Sequence, residues 1–242
     1  MRVLVLSDIH ANLTALEAVL QDAGEVDSVW CLGDVVGYGP DPNECIERLA
    51  GLPNLTCLLG NHDAAALGRI NLQAFNVEAR ASIRWLTNIL KPESRSFLEA
   101  LPERLEVERV TLAHGSPRNP VWEYLLDVYT AAANFDSFTT QLCFVGHTHL
   151  PVTYISNADP QLVSWKLLYN GGSVCPPQRA ILNPGSVGQP RDHNPLSSYA
   201  IYETESSCWQ SKRVAYDIAA VQERIRVAGL PARHAQRLSG GW

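Results

Sequence analysis

Arg2-Val3-Leu4-Val5-Leu6-Ser7-Asp8-Ile9-His10 opens the chain and decides its architecture. Residues 2–7 are strongly apolar with little alternation, the pattern of a strand buried on both faces. Leu13, Leu16, Leu20 and Ala23 then fall at helical spacing behind Asn12, a residue type that caps helix N-termini. Residues 26–32 read as a second buried strand. Residues 41–49 read as a helix entered through Pro40 and Pro42, and residues 55–59 as a third strand. Strand, helix, strand, helix, strand predicts parallel strands joined by crossover helices.

Beyond residue 63 the pattern changes. Residues 64–101 read as a helical insertion over or beside the sheet, with Phe75, Ala79, Ile83 and Leu86 as its buried stripe. Strands are predicted at 105–107, 110–113 and 142–145, with a helix over 130–137. From 151 onward strands and turns dominate, at 152–155, 162–169, 179–182, 199–203 and 209–215. Asn170-Gly171-Gly172 is a turn signal within that half, which reads as an antiparallel or mixed sheet. A last helix begins near Asp217, with Ile218, Val221, Ile225 and Ala228 on one face. The tail after Gly229 reads as mobile. No linker interrupts the chain, so residues 1–242 are expected to form one domain.

Composition narrows the function classes. Of 242 residues, 46% are hydrophobic and 18% charged, which is enough apolar material for a large core. The net charge is −6 and Lys and Arg are scattered, without the basic stripe that grips long nucleic acid. The N-terminal apolar run is too short for a signal peptide. No stretch approaches the ~20 apolar residues of a membrane span. Six cysteines (Cys31, Cys45, Cys57, Cys143, Cys175 and Cys208) form no CxxC pair and read as buried, reduced thiols. A cytoplasmic location is therefore expected.

The polar clusters carry the chemistry, and each follows a predicted strand. Asp8-Ile9-His10 follows the first, Gly33-Asp34 the second and Gly60-Asn61-His62-Asp63 the third. His114-Gly115 follows the strand near 110, and Gly146-His147-Thr148-His149 the strand near 142. Parallel strands deliver their C-terminal ends to one edge, where α/β proteins bind ligands. Asp8, His10, Asp34, Asn61, His114, His147 and His149 offer mixed oxygen and nitrogen donors without thiolate. That set suits divalent Mn, Fe, Zn, Ni or Co, and seven donors suit two ions sharing a carboxylate. The glycines before Asp34, Asn61 and His147 allow sharp turns and close approach. His193 and His234 fall outside the pattern and read as surface histidines.

This order of motifs resembles the calcineurin-like metallophosphoesterase superfamily, and looks closest to its small YfcE-like bacterial and archaeal phosphodiesterases. The resemblance runs from Asp8 to Asn183-Pro184-Gly185-Ser186-Val187. It implies an α/β fold, a four-layer αββα sandwich of two mixed sheets flanked by helices. It also implies two divalent ions, manganese favoured. One would take Asp8, His10 and His149, and the other Asn61, His114 and His147. Asp34 would bridge them, and His62 would be the acid beside the leaving group. Two such ions would make hydroxide available at neutral pH for in-line attack on phosphorus. The protein-phosphatase pattern GD-x-x-DRG with GNHE is absent: Gly33-Asp34-Val35-Val36-Gly37-Tyr38-Gly39 lacks the acidic and arginine positions, and Asp63 stands where that pattern has Glu. That argues against phosphoprotein substrates and leaves the carboxylate partner of His62 open.

Candidate substrate contacts are Arg118 and Arg191 as phosphate forks, Tyr38 as a wall of the cleft, and Trp122 with Tyr124 as stacking rings. For Trp122 and Tyr124 plain packing is the competing reading. The expected partner is a small-molecule phosphoester, neither long nucleic acid nor a membrane, with homo-oligomer formation open. A dinucleoside polyphosphate hydrolase or nuclease is the alternative enzyme. A metal-stabilised interaction scaffold is the alternative without catalysis.

Overall fold

β1 (Arg2–Leu6) sends Leu4 and Leu6 to one side and Val3 and Val5 to the other, and all four are buried. α1 (Leu13–Ala23) follows, its N-terminus capped where the Asn12 side chain accepts the Ala15 N–H at 3.1 Å. β2 (Ser28–Cys31), α2 (Pro42–Ala50) and β3 (Leu55–Cys57) complete the first strand–helix alternation. α3 (Asn61–Ala66), α4 (Val77–Ile89) and α5 (Pro92–Glu99) fill the helical segment. Then come β4 (Arg104–Val107), β5 (Val110–Ala113), α6 (Val128–Asn134), β6 (Leu142–Phe144), β7 (Pro151–Ser156) and β8 (Val163–Leu167). β9 (Gly172–Val174), β10 (Ala180–Pro184), β11 (Ser197–Glu203), β12 (Cys208–Val214), α7 (Ile218–Val227) and α8 (Ala232–Gly240) end the chain. This computed structural model describes residues 1–157, 162–169 and 171–242.

The strands form two mixed six-stranded sheets, in the orders β3-β2-β1-β11-β12-β9 and β4-β5-β6-β10-β7-β8. Each contains one parallel triplet. β1 pairs in parallel with β2, and β2 with β3; in the second sheet β5 pairs in parallel with β6, and β6 with β10. The period-2 alternation of strand side chains then builds the layers. Val3, Val5, Trp30 and Leu32 meet Leu112, Phe144 and Leu182 between the sheets. Leu4, Leu6, Val29 and Cys31 pack on Leu16, Val19, Ile46 and Leu49 of α1 and α2. Cys143, Val145 and Ile181 pack on Ala131 and Phe135 on the opposite outer face. The result is the expected α/β sandwich of two mixed sheets flanked by helices.

Phe75, Ala79 and Ile83 of the helical segment pack on Tyr38 and Ala65, so this segment covers the edge where the strand ends emerge. Leu86 belongs instead to the core beneath α1 and α2.

The Gly171 N–H donates to the Leu168 carbonyl at 3.1 Å, in keeping with the expected turn, Gly172 then opens β9, and Asn170 lies outside the described residues. Other expectations are corrected. The expected mobile tail is instead α8, which packs on α7 through Ala235 and Leu238. Its His234 is only 2% exposed, so it is not a surface histidine. Cys31, Cys45, Cys57 and Cys143 are buried free thiols, but Cys175 and Cys208 form a disulfide. The register Val174↔Trp209 between β9 and β12 places these two cysteines side by side. Disulfides are rare in cytosolic proteins, so this bond removes one support from the cytoplasmic reading.

Candidate metal centre

The two parallel triplets bring Asp8, His10, Asp34, Asn61, His62, His114, His147 and His149 together, all of them buried. Of these, Asp8, His10, Asp34, His147 and His149 have positive φ, from 50° to 65°. Non-glycine residues rarely adopt that conformation, which costs roughly 1–3 kcal/mol each. Loop hydrogen bonds hold it in place: the Asp8 N–H donates to the Gly33 carbonyl and the His10 N–H to the Asp34 carbonyl, both at 3.0 Å. Glycine is needed for the close approach. A Cβ on Gly60 would lie 2.1 Å from Asp34 Oδ1, and one on Gly146 would lie 1.9 Å from Ser7 Oγ.

Backbone carbonyls orient four of the rings. Nδ1 of His10 lies 3.2 Å from the Val36 oxygen, and Nδ1 of His114 lies 3.0 Å from the Leu32 oxygen. Nδ1 of His149 meets the Gln189 oxygen, and Nε2 of His147 lies 3.1 Å from the Trp122 oxygen. A carbonyl can only accept, so each of these nitrogens carries the proton and the other one turns a lone pair inward. The inward nitrogens then face each other. His10 Nε2 is 3.0 Å from His149 Nε2, and His114 Nε2 is 3.2 Å from His147 Nδ1. Opposed lone pairs at that distance require a proton or a metal cation between them.

The carboxylates complete the fit. Asp8 Oδ1 is 3.3 Å from His149 Nε2 and 3.8 Å from His10 Nε2, and it is buried without a hydrogen-bond partner among the described residues. Asp34 Oδ2 is 3.7 Å from His10 Nε2 and 3.4 Å from His114 Nε2, and Asn61 Oδ1 is 3.1 Å from His114 Nε2. Asp34 Oδ1 accepts the His62 N–H at 2.8 Å, which fixes the carboxylate between the two histidine pairs. Burial alone would raise Asp8 and Asp34, but His149 and His114 respectively outweigh it and hold them well below the usual carboxylate range. Burial would likewise lower His114, but Asp34 outweighs it and pushes it up to about 9, whereas burial pulls His10, His147 and His149 down. Three donor groups sit within metal-ligand reach: Asp8, His10 and His149; His10, Asp34 and His62; Asp34, His114 and His147. These residues fit divalent metal.

His62 differs from the four oriented rings. Its Nδ1 is buried with no hydrogen-bond partner among the described residues, and burial pushes its pKa down to about 4. Asp63 is not on that ring. Its carboxylate accepts the N–H groups of Gly60 (3.0 Å), Val36 (3.0 Å) and Val35 (3.3 Å), tying two ligand loops together. Sequence reasoning missed this brace. It missed a second as well: Asn183 donates to the Gly146 carbonyl at 2.7 Å, and Ser186 Oγ donates to the Asp8 carbonyl at 2.7 Å. The signal was the turn-rich Asn183-Pro184-Gly185-Ser186 after a predicted strand.

The outer candidates divide. The Tyr38 ring lies 4.6 Å from His10 and 4.4 Å from His62, so it does wall the cleft. Arg191 reaches Tyr38 Oη (3.3 Å) and Gln189 Oε1 (3.0 Å), and its charge adds to burial in pulling the His149 pKa down. Arg118 is a correction: it forks onto Glu123, so the expected phosphate fork is already occupied by a carboxylate. The Trp122 ring packs edge-on against Phe75 at 5.1 Å, while its carbonyl orients His147. The half-exposed Tyr124 stacks on His147 at 3.8 Å. His193 is exposed, as expected.

Comparison with known proteins agrees with this geometry. The model of the calcineurin-like phosphoesterase superfamily domain matches residues 1–207. A metallophosphoesterase from Sphaerobacter thermophilus of known crystal structure is 47% identical, with a TM-score of 0.91 over 100% of this chain and 99% of that one. An uncharacterized protein of Methanocaldococcus jannaschii is 38% identical over 97% of this chain and 96% of its own. A symmetrical bis(5'-nucleosyl)-tetraphosphatase of Pseudomonas fluorescens is 31% identical over 126 residues, 48% of this chain and 41% of its own.

Proposed function

The chain belongs to the calcineurin-like phosphoesterase superfamily of metal-dependent phosphoester hydrolases, and from that premise we propose that its strand-end cluster is a dinuclear centre hydrolysing a small-molecule or nucleotide phosphoester. One observation carries the reading. Four histidines are each turned by a backbone carbonyl so that their free nitrogens oppose one another around Asp34. Asp8, His10 and His149 would hold one ion, Asn61, His114 and His147 the other, and Asp34 both. Two divalent ions, manganese favoured, would activate water and draw charge from the phosphate.

The chain's own groups supply the rest. His62 hands a proton to the leaving oxygen. An arriving phosphate brings negative charge beside it, and a nearby negative charge favours the protonated ring. Asp63 and Asn183 hold the loops so that the donors need not reorganise. The buried Tyr38 and Phe75 narrow the access of water to His62. The acidic balance supports small substrates over long polymers.

Hydrolysis of p-nitrophenyl phosphate and bis-p-nitrophenyl phosphate with added manganese tests the proposal. Turnover of either supports it, whereas none with any divalent metal favours the scaffold reading. A dinucleoside polyphosphate substrate is the second reading. The partial similarity to the tetraphosphatase favours it, as does Tyr124, an accessible ring beside the centre. Among the described residues no helix is long and apolar enough to cross a membrane. Cytoplasmic placement belongs to the same proposal, with thiol counting on protein from a reducing extract as its check.

A further inference from the structure

Each carbonyl that orients a ring has a support behind it. The Val36 N–H donates to Asp63 at 3.0 Å, the Leu32 N–H to the Leu6 carbonyl at 2.8 Å, and the Gln189 N–H to Ser186 Oγ at 2.8 Å. The Trp122 carbonyl, which takes the His147 Nε2 proton at 3.1 Å, is supported differently. It lies in the run 115–127 between β5 and α6, and the Trp122 N–H donates to the Asn119 carbonyl at a long 3.4 Å. The next residue is Glu123. Its Oε2 accepts from Ser116 Oγ at 2.7 Å, Asn134 Nδ2 at 2.9 Å and Arg118 Nε at 3.3 Å, and its Oε1 accepts from Arg118 Nη2. Ser116 and Asn134 are fully buried, and Asn134 ends α6. Gly115 lets the run fold back this closely, since a Cβ there would lie 2.8 Å from the Glu123 nitrogen and 2.9 Å from the Trp122 nitrogen. The Trp122 ring also packs on Phe75. Apolar packing is non-directional, so it does not set which way the peptide plane points. Hydrogen bonds to a carboxylate are directional and roughly twice as strong as neutral ones.

We propose that Glu123 is a positioning residue of the metal centre: by clamping its run onto Ser116 and Asn134 it holds the Trp122 carbonyl against His147 Nε2, and so keeps His147 Nδ1 turned toward His114. This rests on reading the cluster as a dinuclear centre, in which His147 Nδ1 serves the ion shared with Asn61 and His114. A neutral imidazole carries one proton, and the nitrogen that holds it has no lone pair for a cation. Once the carbonyl turns away, Nε2 loses its acceptor and the proton is free to move to Nδ1. The effect is confined to one ion, because His10 and His149 take their tautomers from Val36 and Gln189.

Two measurements on wild type and Glu123→Gln decide it. Glutamine keeps the shape of the side chain but offers one oxygen in place of two, and its amide faces donors. Metal-stripped protein is titrated with manganese by calorimetry. Wild type is expected to take up two ions, and Glu123→Gln to bind one of them about tenfold more weakly, the low end for a partner outside the ligand shell, with the other unchanged. Ring-nitrogen NMR of the metal-free protein is expected to show His147 protonated at Nε2 in wild type and divided between both tautomers in the variant. Ser116→Ala, which removes one buried donor from the carboxylate, is expected to shift both readouts in the same direction by less, and carries the test if Glu123→Gln does not fold. An unchanged His147 spectrum, unchanged affinities, or equal weakening of both ions overturns the proposal. A wild type that takes up no divalent ion sinks the dinuclear reading instead, and the ring spectra still decide whether Glu123 positions His147.

Discussion

His10 and His149, 139 residues apart in sequence, face each other with their Nε2 atoms 3.0 Å apart, each ring turned by a carbonyl behind it. Without a cation this arrangement stores repulsion, so metal should stabilise the fold. Manganese at a hundred times its Kd contributes about 2.7 kcal/mol, which is roughly 5–11 °C in Tm for a chain of this size. Calorimetric scans with manganese and with chelator check this. Equal Tm values would count against a preformed centre.

Asp34 is common to two of the three donor groups. Asp34→Asn should lower metal content and turnover together, the latter by at least about 10²-fold. Elemental analysis of the purified variant beside its kinetics is the check. Full metal content with normal turnover would refute a shared carboxylate.

His62 Nδ1 has no hydrogen-bond partner among the described residues, so its role should show in the leaving group. His62→Ala should slow alkyl phosphoesters by about 10²–10⁴-fold and nitrophenyl esters much less, because nitrophenolate departs without a proton. Uniform losses across leaving groups would remove the acid role.

Asp63 accepts three buried N–H groups, so its loss is a stability defect. Asp63→Ala strands those donors at a cost of at least about 3 kcal/mol. Urea unfolding should show a lower midpoint with an unchanged slope. A wild-type midpoint would mean that water replaces the carboxylate.

Burial pushes His234 down to about 4 from an ordinary 6.5. Above pH 6.5 neither the folded nor the unfolded chain holds that proton. As pH falls, the unfolded chain takes it up first, so stability is lost between pH 6.5 and 4, by on the order of 3 kcal/mol at most. His234→Phe should flatten the stability profile across that window. Parallel profiles would show that His234 does not titrate as its burial implies.

The legible parts of the chain were those written in periodicity. β1 and α1 declare themselves because Leu4, Leu6, Leu16 and Ala23 must all be buried. The strand-end donors were legible because His and Asp directly after apolar strands have few structural uses. α8 was not, since Ala232–Gly240 carries only scattered apolar residues and buries a histidine among them. β9 is three residues long, largely exposed and opened by glycine, so no pattern marks it. The Cys175–Cys208 pairing depends on the β9–β12 register, which six scattered cysteines cannot reveal. Asp63 was seen, but its three backbone partners come from loops that only the fold brings together. Arg118 was misjudged because Glu123, five residues on, was not weighed as its partner.

The division of donors between two sheets has a consequence for timing. Asp8, His10, Asp34 and Asn61 follow strands of one sheet, and His114, His147 and His149 follow strands of the other. A nascent chain that has released only its first hundred residues holds only the donors of the first sheet, an incomplete set. If the cluster takes metal as proposed, tight capture would wait until the inter-sheet core around Trp30 and Phe144 has closed. Metal uptake would then be a late event in the life of the chain and a report that folding is complete. A variant trapped before the sheets dock would stay empty.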